Sequence, residues 1–309
     1  MRKKNENSRS SKLLRLAIAA SLFIASGSIS ETAQAYCRTA SCDGGITGAR
    51  CLPAQNTDCG VELFWKSPCV SFSMQKDASA QVSLAVATEI FEKAFDTWAN
   101  VDCGGGKHPR ISAVNLGTVE CNAHEYNKQA GNANIILFQD AMWSHGAANT
   151  TLALTTVTYN IDTGEIYDAD MELNSANVSF TMDDEIVKYD LASIAAHETG
   201  HFLGLSHSAD GTATMYLDYS PGSTQLRTLE KDDVDAICAA YPPGDPIPAS
   251  CDPSPRRGFE TVCSPPPIPP EESCTMAPGT TRTSASLSAI SLVILASLFK
   301  RRRDRRHRP

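Results

Sequence analysis

Residues His197-Glu198-Thr199-Gly200-His201-Phe202-Leu203-Gly204-Leu205-Ser206-His207 read H-E-x-x-H-x-x-G-x-x-H, and this stretch constrains the chain more than any other. It follows Asp190-Leu191-Ala192-Ser193-Ile194-Ala195-Ala196, a run of good helix formers. On a helix, His197 and His201 are four residues apart and share one face, where both imidazoles reach a single metal ion. A straight helix would carry His207 away from that ion. Gly204 is the natural break, because glycine adopts the left-handed conformation at a helix end without steric cost and lets the chain turn back. Three neutral imidazoles suit Zn²⁺ and leave a fourth position open for water, the arrangement of a catalytic rather than a structural site. Glu198, beside the first ligand but not needed as one, is placed to take a proton from zinc-bound water as general base.

The surrounding sequence supplies the frame. Cys69–Met74 alternates like a half-buried strand, and Leu84, Ile90, Phe91, Ala94, Phe95 and Trp98 fall at helical spacing, which predicts a helix over about 83–100. Further strands are expected at 110–114, 134–138, 151–159 and 165–174, and a closing amphipathic helix at 229–241 before Pro242-Pro243. Asp168, Asp170 and Glu172 alternate on one strand face and supply oxygen donors that suit Ca²⁺; a solvated acidic face is the other reading.

The ends have a different composition. Residues 1–35 combine a basic start, an apolar run from Leu13 to Ile24 and Ala33-Gln34-Ala35, the pattern of a signal peptide with Tyr36 as the first mature residue. All 11 cysteines follow it, so export and disulfides are expected, with a pairing of Cys103 and Cys121 proposed. Residues 36–68 read as a cysteine-rich N-terminal segment, 69–243 as the catalytic domain, 244–285 as a proline-rich stalk and 286–309 as a short apolar segment with an arginine cluster. A thiolate from the N-terminal segment at the open zinc position is a route to latency. Residues 36–299 carry 14 basic and 32 acidic groups, a poor surface for nucleic acid or an anionic bilayer. Membrane contact is therefore expected only through the C-terminal segment, and a monomer is expected.

The zinc stretch resembles the metzincin metalloproteases, in which the motif is followed by a Met-turn. Met215, in Ala213-Thr214-Met215-Tyr216, matches that methionine. Ser208 after the third histidine is similar to the matrixin branch, and Leu217 stands where astacins carry a tyrosine. The resemblance implies an α+β metzincin fold: a twisted, mixed five-stranded sheet with three main helices and the active-site helix under the cleft. It implies a zinc metalloendopeptidase (EC 3.4.24-type) acting on protein or peptide substrates, with one catalytic zinc held by His197, His201 and His207. It also gives Leu152, Ala153, Leu154 and Thr155 the role of the edge strand along which an extended peptide lies. Vertebrate matrixins hold a second zinc through several histidines, one in an L-A-H-A stretch of this strand. Here that place reads Leu152-Ala153-Leu154-Thr155, with only His145 nearby. The order of Cys274, short apolar helix and arginine cluster resembles a myxobacterial surface-sorting signal. The competing reading is a surface adhesion module that keeps the fold and the metal but cleaves little.

Overall fold

A computed structural model describes residues 36–41, 60–184 and 188–263. The stretches read as a signal peptide and as a C-terminal sorting segment, with Cys42, Cys51, Cys59 and Cys274, lie outside the described residues. β1 (Cys69–Gln75), β2 (Ser112–Val119), β3 (Ile135–Phe138), β4 (Ala153–Tyr159) and β5 (Ile166–Leu173) form one sheet in the order β2-β1-β3-β5-β4. Neighbours are parallel except β4 against β5, where Leu154 faces Glu172 and Thr155 faces Met171. The sheet is therefore mixed, with β4 as a free edge. A second, two-stranded pairing joins β6 (Phe180–Thr181) to β7 (Tyr189–Asp190), directly before the zinc-motif helix.

Three helices complete the α+β fold expected from the sequence. α1 (Leu84–Ala99) starts at Ser83, whose side chain accepts from the Val86 amide, and buries Phe91, Phe95 and Trp98. α2 (Leu191–Phe202) carries the first part of the zinc motif, and α3 (Lys231–Ala240) closes the domain. The core lies between these helices and one sheet face: Phe72 of β1 stacks on Phe95 at 4.5 Å, and Phe95 meets Phe202 edge-on at 5.0 Å. Such aromatic pairs stabilise by roughly 1 kcal/mol beyond their burial.

β5 shows how the period-two pattern sorts its side chains. Ala169, Met171 and Leu173 enter the helix-facing core, whereas Asp168, Asp170 and Glu172 point to the opposite face. That face is not solvated: all three carboxylates are buried. The solvated reading of this acidic row is thus overturned, because the segment 121–134 and the β3–β4 loop supply covering groups such as the Glu125 amide and the His145 ring.

Three expectations need correction. β2 runs to Val119, beyond the 110–114 strand expected, because a bulge opposite Phe72 and Met74 admits Gly117 at φ +97° and pairing then resumes at Thr118. Cys103 and Cys121 are not bridged to each other: Cys103 pairs with Cys238 of α3, and Cys121 with Cys263. The stalk expected from residue 244 is, up to residue 263, a strap tied to the domain by Cys69–Cys251 and Cys121–Cys263. Along this strap Phe259 packs on Val119, Ala133, Ile135 and Leu137, and Glu120 and Asn132 form backbone bridges to Val262 and Phe259. Proline content concealed that apolar anchor. Among the described residues no helix is long and apolar enough to cross a membrane.

Candidate metal centre and cleft

Asp190 fixes the start of α2. Its carboxylate accepts from the Ser193 amide as N-cap and receives two hydrogen bonds from Arg227, at 2.8 and 2.6 Å. Burial pushes this carboxyl up, but Arg227 and Ser193 outweigh burial and hold it below its ordinary value. The helix is thereby held at a set depth beneath β4.

At its other end α2 stops as the sequence predicts. Gly204 takes φ +85°, and the Leu205 amide reaches back to the Gly200 carbonyl at 3.0 Å. A Cβ on Gly204 would also lie 2.7 Å from the Leu63 carbonyl oxygen, so both backbone conformation and space require glycine. The turn is held from outside by residues 36–41: Thr39 donates to the Gly204 carbonyl, and Ser206 donates to that of Cys37.

This geometry brings His197, His201 and His207 together. One ligand-type atom from each lies within 4.8 Å of the others, and the His201 and His207 Nε2 atoms are 3.1 Å apart. His197 Nδ1 is 2.7 Å from the Thr214 carbonyl and His201 Nδ1 is 2.9 Å from the Leu205 carbonyl. A carbonyl only accepts, so both Nδ1 atoms carry the proton and both Nε2 lone pairs are free for a metal. Burial, then the neighbouring His197 and His207, hold His201 well below its ordinary pKa; burial lowers His207 to about 4. Three rings whose ligand atoms converge in this way fit Zn²⁺.

Glu198 is 6% exposed, beside the triad. Burial pushes its carboxyl up, opposed by His197 and by the Thr155 hydroxyl, which donates to Glu198 Oε2 at 2.6 Å. Thr155 was expected as a strand residue that meets substrate; its side chain instead turns inward to the glutamate. Leu152, Ala153, Leu154 and Thr155 all line a cleft of about 500 Å³ that also includes the three histidines, Tyr189, Tyr216 and Leu226.

Met215 lies beneath the histidines, buried in the core. A Cβ on Gly200 would fall 2.2 Å from its Sδ, so glycine inside α2 is what admits the methionine. Asp233, a residue sequence reasoning passed over, accepts from the Thr214 and Met215 amides at 2.7 and 3.0 Å and so fixes this turn. Its one sequence signal was its place in the first turn of α3. Farther round the cleft, the Tyr219 hydroxyl accepts from the Asp190 amide and donates to the Ser223 carbonyl, which pins the loop 217–223.

The acidic row expected to hold calcium is divided. Asp170 accepts from the Glu125 and Ile135 amides, Asp168 keeps an unpartnered Oδ1, and Glu172 faces His124 and His145. All seven described cysteines are in disulfides, Cys37 among them, so none of these offers a thiolate to the histidine triad.

The matrixin family pattern matches residues 64–242. The chain is 45% identical to neutrophil collagenase of Homo sapiens over 74 residues, covering 21% of this chain and 16% of that protein. It is 43% identical to matrix metalloproteinase-18 of Xenopus laevis over 74 residues (21% and 16%), and 50% identical to interstitial collagenase of Sus scrofa over 58 residues (18% and 12%). These alignments span well under a quarter of each relative's length. The family match covers more than half of the chain, from the segment before β1 to the end of α3, and encloses the three histidines, Glu198 and the methionine turn. The chain belongs to the matrixin family.

Proposed function

We propose that this chain is an exported, zinc-dependent endopeptidase that cleaves extended stretches of extracellular proteins. The observation that carries the reading is the convergence of three imidazoles beside a buried carboxylate, at the foot of a cleft bordered by a free sheet edge. His197, His201 and His207 would hold the zinc, which would supply Lewis acidity and make a water beside Glu198 more acidic. Glu198 takes the proton from the attacking water and returns it to the leaving amine. Thr155 Oγ1 holds one carboxylate oxygen in place, so the base does not have to search for its orientation.

Leu152–Leu154 offer backbone groups to a substrate strand by β-augmentation, and Ile194, Tyr216 and Leu226 give one of its side chains an apolar recess. The disulfides and the basic-apolar-small pattern of residues 1–35 support export. Asp168, whose buried Oδ1 has no partner, offers a donor to calcium beside Asp170.

The test is hydrolysis of a mixed peptide library by the purified chain, with and without a zinc chelator. Internal cleavage that the chelator abolishes and added zinc restores is the expected result. Zinc bound without cleavage, after removal of any N-terminal segment that blocks the cleft, would move the chain to the adhesion-module reading.

A further inference from the structure

The charges along the cleft are unevenly distributed. Apart from Glu198 and the three histidines, the one side chain of formal charge in its lining is Asp218, and among the described residues no lysine or arginine lines it. Two cations of the neighbouring segments are engaged elsewhere. Arg227 gives its guanidinium to Asp190 and Asp184, and Lys188 holds its ammonium over the Tyr189 ring, 5.3 Å from the centroid. Asp218 is exposed, and its carboxylate makes no hydrogen bond or ion pair with another described residue. The catalytic reading does not use it.

The wall that carries Asp218 is braced. The next residue, Tyr219, accepts from the Asp190 amide and donates to the Ser223 carbonyl, and Asp190 is itself gripped by Arg227. On the other side of Asp218, Leu217 leaves 37% of its surface exposed in the cleft. An acid without a partner, between an apolar side chain and an aromatic ring, suits a long basic side chain. The methylene stem covers Leu217 and the Tyr219 ring, and the cationic head reaches the carboxylate. Lys188 over Tyr189 shows the related contact within the chain itself, an ammonium seated on a tyrosine of the cleft. The field of the whole body acts in the same direction. Residues 36–299 carry 14 basic and 32 acidic groups, which draws cationic polypeptides in and repels acidic ones.

We propose, on the endopeptidase reading above, that Asp218 is a specificity-determining residue and that the substrates are basic polypeptides, taken with a lysine or arginine beside the scissile bond. The apolar recess at Ile194, Tyr216 and Leu226 selects one side chain by size, and Asp218 selects another by charge. Its ion pair forms at a solvated rim, so salt screens it.

The test has two readouts, cleavage and binding. Peptides of one sequence carry lysine, glutamine or glutamate at each position in turn. Their cleavage by the wild-type chain is measured as kcat/KM, and their binding to Glu198→Gln by fluorescence anisotropy. At one position lysine should be preferred over glutamine about fivefold at low ionic strength, and glutamate disfavoured, in both readouts. Asp218→Asn should level lysine and glutamine, Asp218→Glu should keep their order, and Asp218→Lys should favour glutamate. Salt at roughly 0.5 M should shrink the wild-type preference toward unity. Cleavage with no lysine preference at any position overturns the proposal and leaves the endopeptidase reading intact, as does a preference that survives in Asp218→Asn. Lysine-selective binding to Glu198→Gln that disappears in Glu198→Gln/Asp218→Asn, with no cleavage by wild type, keeps Asp218 as the selecting group and overturns the endopeptidase reading instead. Absence of both binding and cleavage overturns both.

Discussion

The Thr155 hydroxyl donates to Glu198 Oε2 at 2.6 Å, and β4 is thereby connected to the candidate base on α2. The contact is buried, where a charge-assisted hydrogen bond is stronger than at a surface. Thr155→Val keeps the β-branched shape but removes the donor. It should lower kcat about tenfold, with KM changed less than twofold, while Thr155→Ser retains most of the rate. Steady-state kinetics on one peptide decide this; a loss in KM alone would mean that Thr155 contacts substrate rather than the base.

Gly200 and Met215 leave no room for a side chain between them, since a Cβ would sit 2.2 Å from sulfur and 2.9 Å from Trp98. Overpacking of this kind costs about 1–3 kcal/mol. Gly200→Ala should lower Tm by roughly 3–10 °C. Gly211→Ala serves as control, its Cβ meeting only Tyr216 at 3.9 Å. Calorimetry of the two variants measures the difference, and equal melting would show that Met215 is free to move aside.

Asp190 gives a pH dependence with a definite sign. Its folded pKa lies below the ordinary value because Arg227 and Ser193 outweigh burial. A depressed carboxyl stabilises the fold above the unfolded pKa of about 4, and the contribution is lost as pH falls through the lower folded value. Asp190→Asn should cost about 2 kcal/mol at pH 7. The gap from wild type should close as the pH drops below about 4, which urea unfolding at a series of pH values would follow.

The strap of residues 244–263 predicts a boundary. Ending the chain at residue 243 removes Cys251 and Cys263 and leaves Cys69 and Cys121 without partners. Each lost disulfide typically costs 2–5 kcal/mol, with loops of this length at the upper end. A product ending at 243 should therefore melt well below one ending at 264, and reductant should bring the longer product down toward it.

The helix, the turn at Gly204 and the approach of His197, His201 and His207 were legible in the sequence. Histidine spacing, the glycine break and the methionine are local features, and Gly204 at φ +85° behaves as its place in the motif requires. Periodicity also located α1, because its apolar positions repeat along one continuous helix. What stayed hidden depends on partners distant in sequence. The partners of Cys103 and Cys121 lie on α3 and on the strap, more than a hundred residues away in each case. His124 and His145 looked unrelated until β5 placed Glu172 between them. Thr155 read as part of the substrate-facing edge strand, because alternation gives its face but not the glutamate opposite it.

The most direct test of the central claim compares zinc content and peptide cleavage in wild type and Glu198→Gln. The substitution keeps the shape of the side chain and leaves His197, His201 and His207 intact. The account predicts equal zinc in both proteins and a fall in kcat of at least about a hundredfold in the variant. Cleavage at the wild-type rate by Glu198→Gln would contradict it.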